Sequence, residues 1–185
     1  MPTPSRTSVD EIVAAGRSIL EADGIEELTM QRVATMVGVR APSLYKRVRG
    51  RADLIRLIGN DITRELADTL DAAAMSGDPR TDLRNLANSF RAFARASPNA
   101  YSLLFGRLPE DARTDSVLVV RASDAILRTA SALAGPEHAL EAARTVVAWA
   151  NGFVSMELSG AFRLGGDVDR AFAYGIDRLT SSISS

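Results

Sequence analysis

Apolar residues recur along this chain at helical spacing, and no alternating run reaches strand length. The first stripe is Val9, Ile12, Val13, Gly16, Ile19 and Leu20. Ser8 and Glu11 form a capping box in front of it, and Gly24 ends it, since a left-handed C-terminal position suits glycine. A second helix starts at Thr29, carries Val33, Ala34 and Val37, and stops at Gly38. A third, short helix starts at Pro42, a first-turn position that needs no amide donor. It carries Leu44, Tyr45 and Val48 and closes at Gly50. Two short helices around a glycine turn are the outline of a helix-turn-helix.

A longer helix over 52–74 aligns Leu54, Ile55, Ile58, Ile62, Leu66 and Leu70. The stretch 75–80, with Ser76, Gly77, Asp78 and Pro79, breaks the pattern and marks a boundary. Helices are then expected over 81–96, after Pro98, and over 110–133, 137–162 and 167–183. The polar, proline-containing tail over 3–7 is expected to be unstructured. The fold class is all-α, with about nine helices.

Composition agrees with helices. Of the residues, 46% are hydrophobic but only 5% aromatic, and Ala, Leu and Arg tolerate helix interiors better than β-branched or aromatic side chains do. The absence of cysteine excludes disulfides, thiolate catalysis and cysteine-based zinc sites. Arg6, Asp10, Glu11 and Arg17 interrupt the first twenty residues, which do not read as a secretory signal. No apolar stretch is long enough to cross a bilayer. A cytoplasmic protein without a membrane partner is expected.

Charge is unevenly placed. Between Arg40 and Arg56, six basic residues (Arg40, Lys46, Arg47, Arg49, Arg51, Arg56) face one acidic residue, Asp53. That window carries +5 in a chain of net charge −1, which leaves −6 for the remainder. A basic patch on an acidic body suits a protein that meets phosphate with one face. A solvated arginine-rich turn would look the same by charge alone.

The segment Leu28-Thr29-Met30-Gln31-Arg32-Val33-Ala34, then Val37-Gly38-Val39-Arg40-Ala41-Pro42-Ser43-Leu44-Tyr45-Lys46-Arg47-Val48, resembles the DNA-binding signature of the TetR family of repressors. The likeness includes Gly24-Ile25 before it and Arg51-Ala52-Asp53-Leu54 after it. It implies a helix-turn-helix domain over 1–50, a connecting fourth helix over 51–75, and a ligand-binding and dimerisation domain over 76–185. Val39, Leu44 and Val48 would anchor the short helix inward. Arg40, Ala41, Pro42, Ser43 and Arg47 would then point outward near its N-terminus, the end that meets base edges in the major groove. Tyr45, Lys46, Arg51, Thr29 and Gln31 complete the expected DNA contacts. Thr29 offers a hydroxyl and nearby amides to a phosphate. Arg49 and Arg56 read as solvated charges. Where many relatives carry an aromatic or histidine two residues after the tyrosine, this chain has Arg47.

In the second half, Trp149-Ala150-Asn151-Gly152-Phe153, followed by Met156-Glu157-Leu158, resembles the Trp-His-Gly-type element of a TetR C-terminal domain, with Asn151 where histidine often stands. The resemblance implies a four-helix dimer interface. Its candidates are Leu140, Val147, Val154 and Leu158 on one helix and Phe172, Ile176, Leu179 and Ile183 on the last. The same stripes would serve equally as an intramolecular core. Phe90, Phe93, Tyr101, Leu104, Phe105, Trp149 and Phe153 are candidate pocket walls for a small apolar or amphipathic ligand, or simply core.

The expected function is a ligand-responsive repressor acting as a homodimer on palindromic double-stranded DNA, with no metal and no cofactor. The alternatives are a helical protein-interaction module and a carboxylate-based enzyme. The only histidine, His138, stands at a helix start, and no phosphate loop, nucleophile elbow or two-histidine metal motif is present.

Overall fold

A computed structural model describes residues 7–183; the tail expected over 3–7 lies, apart from Thr7, outside the described residues. Among these there are nine α-helices and no strand. They are α1 (Val9–Asp23), α2 (Met30–Met36), α3 (Ala41–Leu44), α4 (Arg51–Ala73), α5 (Pro79–Ala96), α6 (Pro98–Phe105), α7 (Ser116–Ala134), α8 (Ala139–Leu158) and α9 (Val168–Ile183). Short 3₁₀ turns precede α7 (Glu110–Ala112) and α8 (Pro136–His138).

Capping residues set the ends. Ser8 and Glu11 exchange both capping-box hydrogen bonds at the start of α1. Asp78 accepts the amides of Arg80 and Thr81, so α5 begins at Pro79 and not at the expected Thr81. The helix expected from Glu110 begins only at Ser116, because Arg113 turns extended after the 3₁₀ turn. Leu118 and Val119 then bond back to the Asp115 carbonyl. The penultimate helix ends at Leu158, short of the expected Phe162, because Gly160 adopts φ +66°.

The helices pack as two compact units. One comprises residues up to 64 together with 97–119, the other 65–96 together with those from 120 onward. Packing thus assigns α6 and the first residues of α7 to the N-terminal unit, which the breaker at 75–80 did not foretell.

The core of the first unit is aliphatic: Ile12, Ile19, Leu20, Leu28, Val33, Leu44, Leu54, Ile58 and Ile62 are almost fully buried. Each such side chain contributes about 1.5–3 kcal/mol of burial. Gly16 lets α4 come close, since a Cβ there would stand 2.6 Å from the Ile58 side chain.

The second unit centres on Leu83, Ala87, Leu133, Val146, Phe172 and Ile176, with Trp149, Phe153 and Ile183 packed against them. Trp149 and Phe153 lie 5.0 and 5.1 Å from the Phe172 ring. Arg91, 7% exposed, stacks on Phe172 at 4.7 Å and meets Glu157 through two bonds of 2.8 and 2.6 Å. It also reaches Asp169 at 2.7 Å. A buried guanidinium needs this full set of partners, and here they tie α5, α8 and α9 together.

This packing corrects the expected dimer interface at three positions. Val154, Phe172 and Ile176 are 0%, 1% and 2% exposed and fill the core of their own chain. Ile183 also packs inward. Leu158 and Leu179 are half-buried, whereas Leu140 and Val147 face outward. The stripe on α9 is a true apolar face, but its partners are α5 and α8.

Gly175 sits where a Cβ would stand 2.3 Å from the Trp149 ring, while a Cβ on Gly152 meets nothing within 4 Å. Gly175→Ala is expected to destabilise the protein by about 1–3 kcal/mol through overpacking. Gly152→Ala is expected to be neutral or slightly stabilising on helix propensity. Urea unfolding of the two variants compares them, and equal midpoints would contradict this packing.

Candidate nucleic-acid interface

The helix-turn-helix is held from beneath. Thr29 caps α2 by accepting the Arg32 amide at 3.2 Å. The Arg32 side chain pairs with Asp23 at the end of α1 and with Glu27 at 2.9 Å, which fixes α2 against the turn that precedes it. The Asp23 hydrogen bond is the main cause of the raised pKa of Arg32. Gly38 takes φ +73°, and the amide of Val39 returns to the Ala34 carbonyl at 2.9 Å. That turn aims the chain into α3.

Four helical residues cannot stabilise themselves. Leu44 and Val48, 0% and 1% exposed, anchor the segment in the core, and the amides of Arg47 and Val48 bond back to the Leu44 carbonyl at 2.8 and 2.9 Å. Val39, expected as a third anchor, is only half-buried.

The opposite side is free of the core. Arg40, Pro42, Ser43, Tyr45, Lys46 and Arg47 are exposed, Ala41 is half-buried beside them, and Gln31 is exposed on α2. Tyr45 keeps 56% of its surface open. Thr29 is half-buried in its capping role.

Two arginines of the patch have other duties. Arg51, expected at a phosphate, donates from Nε to the Leu28 carbonyl at 2.8 Å and from Nη2 to the Ile25 carbonyl at 2.6 Å. It clamps the start of α4 to the turn before α2. Arg56, expected to be solvated, bridges Asp53 at 2.7 Å and Asp115 at 2.8 Å. Those carboxylates raise its pKa, the Asp53 bond foremost. Arg40, Lys46, Arg47 and Arg49 form no side-chain ion pair among the described residues, so the exposed charge gathers along α3 and the turn after it.

The candidate pocket residues divide between the units. Phe90, Phe93, Trp149 and Phe153 belong to the second, while Tyr101, Leu104 and Phe105 lie on α6 in the first. Tyr101 and Phe105 stack at 5.1 Å. Trp149 and Phe153 are packed on the Phe172 core. A groove of about 560 Å³ lies elsewhere, between α1 and α4, lined by residues that include Val13, Arg17, Leu57, Asp61 and Arg64.

An all-helical chain with a core-anchored helix-turn-helix and a basic outer edge defines a transcription regulator of the helix-turn-helix class. A family model described as tetracyclin repressor-like, C-terminal domain, matches residues 83–179, more than half of the chain, and the chain belongs to that family. The Trp149–Leu158 element lies within the match.

Among curated proteins, the chain is 28% identical over 161 residues to the uncharacterized HTH-type transcriptional regulator Rv0681 of Mycobacterium tuberculosis, covering 85% of this chain and 73% of that one. It is 33% identical over 97 residues to the HTH-type transcriptional repressor DrrR1 of Streptomyces coeruleorubidus, covering 52% of this chain and 35% of that one. BioQ, solved with its natural double-stranded DNA operator, shares the fold with a TM-score of 0.69 at 23% identity, over 96% of this chain and 98% of that one. Among the described residues no helix is long and apolar enough to cross a membrane.

The two roles of arginine separate by mutation. Arg51→Ala is expected to lower stability by about 1–3 kcal/mol, since it removes charge-assisted bonds to two carbonyls. Arg47→Ala, at an exposed site, is expected to stay within about 0.5 kcal/mol of the parent. Denaturant midpoints read both, and a stable Arg51→Ala variant would return Arg51 to the set of free cations.

Proposed function

We propose that this regulator is a homodimeric repressor that reads a palindromic operator with α3 and releases it when a small apolar or amphipathic molecule binds the C-terminal unit. The observation that carries the reading is the exposed cationic edge formed by Arg40, Lys46, Arg47 and Arg49, which flank the short helix α3 whose other side is sunk in the core. In a chain of net charge −1, such an edge attracts duplex phosphate without making the whole surface sticky.

The base-reading set is Arg40, Ala41, Pro42, Ser43 and Arg47. Arginine bonds guanine through two donors, serine bonds several bases, and Ala or Pro packs on a thymine methyl group. Tyr45, Lys46, Thr29 and Gln31 suit the flanking backbone. Names among the relatives favour the same reading: DrrR1 is called a repressor, and BioQ was solved on operator DNA.

A single short helix reads few bases, so a two-fold protein suits a palindrome. The face best fitted to a second copy is the outward side of α8 and α9. Leu140, Val147, Met156 and Tyr174 are exposed there, and Ala148 and Gly152 between them allow close approach. A ligand preferring a conformation in which the two α3 helices no longer match successive major grooves, about 34–36 Å apart, would shift the population away from DNA. Linkage then requires DNA to weaken ligand binding by the same factor.

Two measurements test the reading. In gel shifts with the chromosomal DNA flanking its gene, the protein is expected to bind with affinity that falls steeply with salt. Arg47→Ala or Tyr45→Ala should weaken binding by about tenfold or more, in line with about 1–3 kcal/mol per base-reading contact. In sedimentation, the parent should be a dimer and Val147→Glu a monomer with weakened operator binding. A monomeric parent that ignores all of that DNA would remove the proposal.

A further inference from the structure

An unbroken chain of polar contacts runs from Asp115, just ahead of α7, to the turn that leaves α3. The amide of Arg49 donates to one oxygen of Asp53 at 2.9 Å. The other oxygen of Asp53 accepts Arg56 Nη2 at 2.7 Å. Nη1 of Arg56 reaches both oxygens of Asp115, at 2.8 and 3.1 Å. Asn60, one helical turn beyond Arg56, donates to Asp115 at 2.7 Å and accepts the Asp115 amide at 2.9 Å. The sequence separation between Asn60 and Asp115 is 55 residues, yet both belong to the first compact unit.

Three features make this more than a surface ion pair. Asn60 is 3% exposed, and both ends of its amide are satisfied by Asp115 alone, so without that partner it would be buried and unsatisfied. The side chain beside Asp115 packs close on α4: a Cβ on Gly59 would stand 2.7 Å from the Thr114 hydroxyl. Asp53 accepts the Arg49 amide from the first turn of α4, just after the exposed segment Tyr45–Lys46–Arg47. Its orientation depends on Arg56, and that of Arg56 on Asp115.

We propose that Asp115 is a positioning residue for DNA reading: acting through Arg56 and Asp53, it fixes the turn that sets α3 against α4. The inference rests on the reading of α3 as the DNA-contacting helix. It assigns to a residue outside the helix-turn-helix a part in how tightly DNA is held. Asp115 immediately precedes α7 (Ser116–Ala134), so loosening the start of that helix would loosen the turn after α3 with no change in any residue that touches DNA.

The sign of one substitution separates this from bulk electrostatics. Asp115→Asn removes a negative charge from the unit that carries the cationic edge, so charge alone predicts tighter DNA binding. Positioning predicts weaker binding. Full-length Asp115→Asn and Arg56→Gln are compared with Arg121→Gln, a control that breaks the Arg121–Asp68 pair outside the chain of contacts. Backbone hydrogen exchange of the free proteins and binding to the DNA flanking the gene are both measured.

Asp115→Asn and Arg56→Gln are expected to exchange about fivefold faster or more over residues 45–53 as well as at the start of α7, and Asp115→Asn to bind the DNA several-fold more weakly. Arg121→Gln should leave residues 45–53 at the parent rate. Unchanged exchange over 45–53 in both folded variants, or DNA binding by Asp115→Asn as tight as the parent's, would overturn the proposal. Failure of the parent itself to bind that DNA would instead strike the DNA-reading assignment, since the exchange result needs no DNA. A variant too unstable to purify leaves the other to decide, because Arg56→Gln breaks the chain at its middle without touching α7.

Discussion

A helix of four residues has no stability of its own, and everything distinctive in the N-terminal unit follows from holding one in place. Its outer surface must stay bare to meet another molecule, so its inner surface alone must secure it. Leu44 and Val48 do this by burial. Arg32 fixes α2 to the residues before it, and Arg51 fixes α4 to the carbonyls of Ile25 and Leu28. The supporting polar bonds come from residues flanking α3, which leaves Arg40, Lys46 and Arg47 uncommitted.

The second unit answers a different demand with different chemistry. Its centre is aromatic where the first is aliphatic, and a guanidinium is built into it. Arg91 lies on the Phe172 ring and meets two carboxylates, an arrangement in which losing one partner costs far more than the pair gains over an apolar replacement. Such a centre specifies how α5, α8 and α9 fit together more sharply than apolar packing alone. The outward sides of α8 and α9, with Leu140, Val147 and Tyr174 exposed, remain available for assembly.

Helix number, order and most N-terminal caps were legible from the chain because they depend on neighbours in sequence: Ser8 with Glu11, Gly24 and Gly38 as stops. The short helix and its exposed residues were legible for the same reason. What could not be read was which distant group a side chain would meet. Arg51 looked like a phosphate ligand because its carbonyl partners lie 23 and 26 residues away. Arg56 looked solvated because one of its carboxylates lies 59 residues on. Amphipathic spacing on α9 announced that Phe172 and Ile176 would be buried, but periodicity is silent on the partner, and the partner was the chain's own α5 and α8. The late start of α7 had a visible signal in Pro109 and Asp115, a turn former and a helix cap, which the apolar stripe obscured.

The placement of Trp149 has a practical corollary. It is the only tryptophan in the chain, and it stands among Phe153, Phe172 and Gly175 at the centre of the second unit. Intrinsic emission excited at the red edge of protein absorption therefore originates in that unit alone. The molecule carries its own optical label for events among α5, α8 and α9, while the helix-turn-helix stays spectroscopically dark.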